Sequence, residues 1–128
     1  MTSLGAPILI CLLTTLAQSA HAQGQDGAFW LRACSAALKI DEGATLPPED
    51  QYAAVGCTGY VSGFLDGMSL ASTSAKAQRA VCLPDRGISN DQAMRIFVKY
   101  LRDNPEILHQ SGRMSFYIAL ARSFPCAK

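Results

Sequence analysis

The sequence predicts a small all-α domain, four helices in two helical hairpins, stapled by two disulfides. Three observations carry that reading. Apolar residues recur at three- and four-residue spacing through most of the chain, the breaks between these stretches hold helix-start and helix-stop residues, and four cysteines remain once an export segment is set aside. No stretch alternates apolar and polar residues as a half-buried strand would.

The first helix is expected over about residues 27 to 40, where Phe29, Trp30, Ala33, Ala37, Leu38 and Ile40 share a helical spacing, and the segment "DEGATLPP" ends it. The second opens on Pro48, Glu49 and Asp50, with proline where its missing N–H is harmless and two carboxylates at the positive end of the dipole, and runs to about residue 72. A connection rich in Ser, Thr and Ala, then "CLPDRG", leads to "SNDQ", in which Ser89 and Gln92 form a capping box for the third helix. Its inner stripe is Ala93, Ile96, Phe97, Tyr100 and Leu101. "NPE" predicts the fourth helix, with Asn104 as N-cap and Pro105 as first helical residue; Ile107, Leu108, Ser111, Met114, Ile118 and Ala121 should face inward, and the helix should stop before "FPC".

Residues 8 to 17, "ILICLLTTLA", are a short apolar run followed by "QSAHA", whose Ala20 and Ala22 give the small-x-small pattern of signal-peptide cleavage. The expected organisation is a signal peptide at 1–22 and one domain at 23–128. The run is too short for a permanent membrane span, only the amino terminus supplies positive charge ahead of it, and Cys11 is removed with it. A mature chain of about a hundred residues is the ordinary size of a single domain. It holds all 11 basic and all 10 acidic residues, so it is near neutral and offers no electrostatic case for nucleic acid. No further apolar segment suggests stable membrane insertion.

The remaining cysteines are Cys34, Cys57, Cys82 and Cys126. An even number in a small exported chain without Cys-x-x-Cys pairs or histidine partners favours two disulfides over a metal site. Four cysteines allow three pairings, and the hairpins rank them. Cys34 lies about as far before the first turn as Cys57 lies after it; Cys82 precedes the third helix and Cys126 follows the fourth. The expected pairs are Cys34 with Cys57 and Cys82 with Cys126, each stabilising by about 3 to 4 kcal/mol in the loop-entropy picture, an amount comparable with the whole stability of such a domain.

The stretch "CTGYVSGFLDG" places Gly59, Gly63 and Gly67 on one stripe of the second helix, each costing roughly 1 kcal/mol relative to alanine. The compensating gain is close approach of another backbone. That backbone belongs either to the same chain or to a second subunit, and the usual use of small residues at helical spacing favours the former.

Chemical sites find little support. His21 leaves with the signal, so the mature chain has one imidazole, His109, with no free thiol to activate and no G-x-S-x-G elbow to serve; a surface or helix-face role is expected. Asp66, the one carboxylate in the glycine-bearing stretch, is assigned a structural role, pairing with an arginine or capping. Asp41 with Glu42 and Glu49 with Asp50 are neighbours at helix ends and read as dipole complements, not as an acid/base couple. "GISND" lacks the strand and glycine spacing of a phosphate loop, and no cofactor or metal is expected. Tyr52, Tyr60, Tyr100 and Tyr117 fall at helical spacing and are expected half-buried. An enzyme is therefore the least favoured class and a binding module the most favoured.

The order "C…CTGYVSGFLDG…CLPDRGISNDQ…VKYLRDNPEILHQ…ALARSFPC" resembles the Rap/Tai family of immunity proteins, from about Cys34 to Cys126. Its most specific pieces are the block at 57 to 67, the Cys-x-Pro at 82 to 84 with Ser89 and Gln92 after it, the run from Tyr100 to His109, and the terminal Phe-Pro-Cys. The resemblance implies a periplasmic, non-enzymatic all-α protein, often a homodimer, that occludes the active-site groove of a type VI secreted peptidoglycan amidase. It makes the glycine stripe, Cys57 and the Ser89/Gln92 cap scaffold. The inhibitory residues do not transfer one by one. The connection from 73 to 88, with charged Arg79, Asp85 and Arg86, is the expected contact segment, since loops on rigid scaffolds carry binding residues. Two alternatives stand beside it. Small exported helical chains with a cysteine-bearing glycine helix also resemble acid-stress periplasmic chaperones, although those are usually shorter and held by a single disulfide, and two staples would resist opening; an orphan envelope binding module needs no toxin at all.

Overall fold

The computed structural model describes residues 25–74 and 80–127. The expected signal segment 1–22, its cleavage point and Arg79 lie outside these. The elements are α1 (Gly27–Asp41), α2 (Pro48–Ser74), α3 (Asn90–Asp103), a 3-10 turn (Pro105–Ile107) and α4 (Gly112–Ser123). Helix α1 packs against α2, α3 and α4, and α3 packs against α4, so the two hairpins share one core. Among the described residues there is no β-strand, only an isolated antiparallel bridge between Asp26 and Ser111.

Local chemistry sets most boundaries. Asp26 caps α1, its Oδ1 accepting from the Phe29 N–H at 2.8 Å. Gly43, at φ +91°, turns the chain out of the helix while its N–H donates to the Ile40 carbonyl at 2.8 Å. Pro48, Glu49 and Asp50 form the first turn of α2. Ser89 caps α3 through the Gln92 N–H at 3.1 Å.

The core is Trp30, Ala33, Cys34, Ala37 and Leu38 of α1, Ala54, Cys57 and Val61 of α2, Ala93, Met94, Phe97, Val98 and Leu101 of α3, and Phe116, Ala119 and Leu120 of α4. Trp30 stacks on Tyr60 with centroids 4.0 Å apart, and Phe116 meets Phe97 at 4.6 Å and Phe64 at 4.7 Å, so one aromatic cluster joins all four helices. Both expected disulfides are present. Cys34–Cys57 has a Cα separation of 5.2 Å and lies fully buried; Cys82–Cys126 has a separation of 4.9 Å and lies at the surface.

The fourth helix differs from expectation. Asn104 does not cap a following helix; its Nδ2 donates back to the Tyr100 carbonyl at 2.7 Å. Pro105 opens only a three-residue 3-10 turn, and α4 starts at Gly112. The cause is tertiary. The Leu108 and Gln110 carbonyls accept from the Ala28 and Gly27 N–H groups at 2.9 and 3.0 Å, satisfying orphan donors at the start of α1. Carbonyls aimed at another helix cannot also continue their own ladder. The inward face rotates accordingly: Gly112, Ser115, Phe116, Ala119 and Leu120 are buried, whereas Met114 is 52% exposed and Ser111 is exposed.

Candidate functional site

Helix α2 has 27 residues, about 40 Å at 1.5 Å per residue, and its fully buried residues end at Val61. Its carboxyl-terminal half forms one wall of a cleft; the segment from Val81 to Ile88 forms the other. The cleft has a volume of about 640 Å³ and is floored by Leu65, Met68, Val81, Leu83 and Ile88, with Asp66, Ser69, Ser72 and Asp85 among its polar groups. Ligand sites in proteins commonly fall between roughly 300 and 1,000 Å³.

The second wall is anchored near its start and closes on itself farther along. Cys82 is bonded to Cys126, and its N–H donates to the Phe124 carbonyl at 2.9 Å, which ties the segment to the chain just past α4. Farther along, the Gly87 N–H donates to the Pro84 carbonyl at 2.7 Å, with Gly87 at φ +70°. That closes a tight turn, with Asp85 and Arg86 exposed at its tip. Of the three residues expected to touch a partner, Asp85 thus lines the cleft, Arg86 stands beside it outside the lining, and Arg79 lies outside the described residues.

Asp66, expected to pair with an arginine or to cap, makes no such pair among the described residues. It lines the cleft opposite the turn. The cleft's α2 wall has a signal in the sequence, because Leu65, Met68, Ser69 and Ser72 recur at helical spacing beyond the core.

The glycine stripe faces outward. A Cβ built at Gly59, Gly63 or Gly67 meets nothing within 4 Å, so no described part of the chain uses the close approach that packing within the chain would require. Gly56 is equally open, and the exposed Tyr52 and Val55 lie toward one end of this face and Leu70 toward the other. Tyr52, expected half-buried, is 79% exposed because it lies at the free amino-terminal end of α2 with a shallow hollow of Pro48, Gln51 and Val55 around it. Tyr60, Tyr100 and Tyr117 are half-buried.

The remaining polar residues form no catalytic arrangement among the described residues. His109 is exposed after the 3-10 turn, and the four cysteines of the domain are all in disulfides. No group of three potential metal ligands comes together among the described residues. Glu42 pairs with Arg95 at 3.2 Å, and Arg95 also pairs with Asp91 at 3.0 Å; these exposed pairs contribute little to stability. Among the described residues Tyr60 is the one half-buried group whose titration is shifted. Burial pushes its hydroxyl above the usual tyrosine range, opposed in part by the charge of Arg113, and its oxygen has no hydrogen-bond partner among the described residues.

No described helix is long and apolar enough to cross a membrane. A family model described as Rap1a immunity proteins matches residues 26–126. No curated protein and no solved structure matches the chain.

Proposed function

The chain belongs to the Rap1a immunity protein family, and on that premise we propose that it is a periplasmic inhibitor that binds a type VI secreted peptidoglycan amidase and occludes its active-site groove. The family match across residues 26–126 is the observation that carries the reading. The protein supplies a complementary surface and no chemistry of its own, a role consistent with disulfide-bonded cysteines and an isolated His109. The signal peptide at 1–22 delivers it to the compartment where such an amidase acts and where disulfides form. The tip of the 81–88 segment, with Asp85 and Arg86, makes the contact together with Arg79. A homodimer belongs to the same reading, and the uncovered glycine face of α2 supports it.

The test is retention of an amidase from type VI secreted fractions on the oxidised protein, followed by assay of peptidoglycan cleavage with and without it. Inhibition by a stoichiometric amount is the expected result. The Arg79→Ala/Arg86→Ala double variant should bind more weakly; unchanged affinity would remove the tip from the contact. Absence of any retained amidase, or capture of unfolded clients only at acid pH, would overturn the inhibitor reading.

A further inference from the structure

We propose that the cleft between α2 and the 81–88 segment receives a loop of the partner protein that carries a lysine or arginine flanked by apolar residues. The inference rests on the immunity reading and specifies the chemistry of the partner it recognises.

Shape and charge point to that occupant together. The floor is apolar, formed by Leu65 and Met68 on one side and Val81, Leu83 and Ile88 on the other. Two carboxylates line this cleft, Asp66 on α2 and Asp85 in the Pro84–Gly87 turn, and neither has an ion-pair partner among the described residues. No described basic residue lines the cleft; Arg86, although next to Asp85, is not part of its surface. A pair of carboxylates with no ion-pair partner among the described residues, set over an apolar floor, disfavours an acidic or purely polar loop. It favours a cation whose neighbours can fill the floor, since charge complementarity selects partners and registers them. The wall is held by the Cys82–Cys126 disulfide and by the bond from the Cys82 N–H to the Phe124 carbonyl, so little ordering is needed on binding.

The experiment is a titration of the oxidised protein, followed by backbone amide NMR, with two test peptides, acetyl-Leu-Arg-Leu-amide and acetyl-Leu-Glu-Leu-amide. The cationic peptide is expected to shift amides confined to residues 65–72 and 81–88 and to bind about tenfold or more tighter than the acidic one. That preference should shrink as salt is raised. The Asp66→Asn/Asp85→Asn variant should fold with an unchanged helical spectrum and lose the preference. Equal binding of both peptides, shifts elsewhere on the protein, or no shifts at all would overturn the proposal. The amidase assay separates its failure from that of the inhibitor reading. Full inhibition by the Asp66→Asn/Asp85→Asn variant would retract the cleft and keep the amidase, whereas peptide binding without inhibition by the wild-type protein would do the reverse.

Discussion

Gly112 packs against the indole of Trp30 so closely that a Cβ at that position would stand 2.7 Å from both Trp30 Nε1 and the Gln25 carbonyl oxygen. The contact locks the start of α4 to the start of α1, where the Gly112 N–H donates to Gln25 at 3.3 Å and the Gly27 and Ala28 N–H groups donate to Gln110 and Leu108. Because Trp30 is buried and stacked on Tyr60, it cannot retreat without disturbing the aromatic cluster. Gly112→Ala should therefore lower stability by about 2 to 3 kcal/mol, the usual cost of overpacking. Urea unfolding should show a lower midpoint with an unchanged slope; a midpoint equal to wild type would mean that the indole has room to move.

The glycines that attract attention in the sequence behave in the opposite way. With nothing within 4 Å of Gly59, Gly63 or Gly67, alanine costs no steric room and gains helix propensity. Each of Gly59→Ala, Gly63→Ala and Gly67→Ala should raise the stability of the isolated chain by up to about 1 kcal/mol. Thermal unfolding at low protein concentration checks this. Under the homodimer reading the triple variant should also shift sedimentation toward monomer; loss of stability in the dilute monomer would instead reveal a contact across the stripe.

Tyr60 supplies a pH dependence whose sign is fixed. Burial disfavours the phenolate, so the folded state holds the proton to higher pH than the unfolded chain, whose tyrosine titrates near its ordinary value of 10.0. Stability from this group is fully present below that value and falls as the pH rises above it, through the folded-state value. Tyr60→Phe should flatten this alkaline decline. Because the hydroxyl is buried without a hydrogen-bond partner among the described residues, the variant should be neutral or more stable at pH 7, by up to about 1 kcal/mol. Denaturant midpoints between pH 7 and 11 make the comparison, and a marked loss at pH 7 would point to a bond that the hydroxyl makes.

The two disulfides should separate under mild reduction. Cys34 and Cys57 are both 0% exposed in the core, whereas Cys82 is exposed and Cys126 half-buried. Thiolate attack requires access to sulfur, so a dithiol reductant should open Cys82–Cys126 first. The chain would keep its helical spectrum with Cys34–Cys57 intact, lose up to about 4 kcal/mol of stability, and lose the fixed wall of the cleft. Stepwise alkylation and mass spectrometry read the order; simultaneous opening of both bonds would mean that the core unfolds before either staple is reduced.

Sequence by itself determined the helices, most of their ends and both cysteine pairs, because each is encoded within a few neighbouring residues. Asp26, Gly43, Pro48 and Ser89 act on their own turn of backbone, and a hairpin fixes which cysteines share a level. Tertiary structure alone decided three things. The carbonyls of Leu108 and Gln110 were taken by α1, which cut the expected fourth helix to Gly112–Ser123 and rotated its buried face. The glycine spacing on α2 stated that a smooth face exists but not which way it points, since direction depends on where α1 and α3 pack. Asp66 and Asp85, 19 positions apart in the chain, face one cleft because α2 outruns the core and a disulfide holds the returning segment beside it. Spacing within a helix is a local property, whereas the surface left uncovered by the packing of several helices is not.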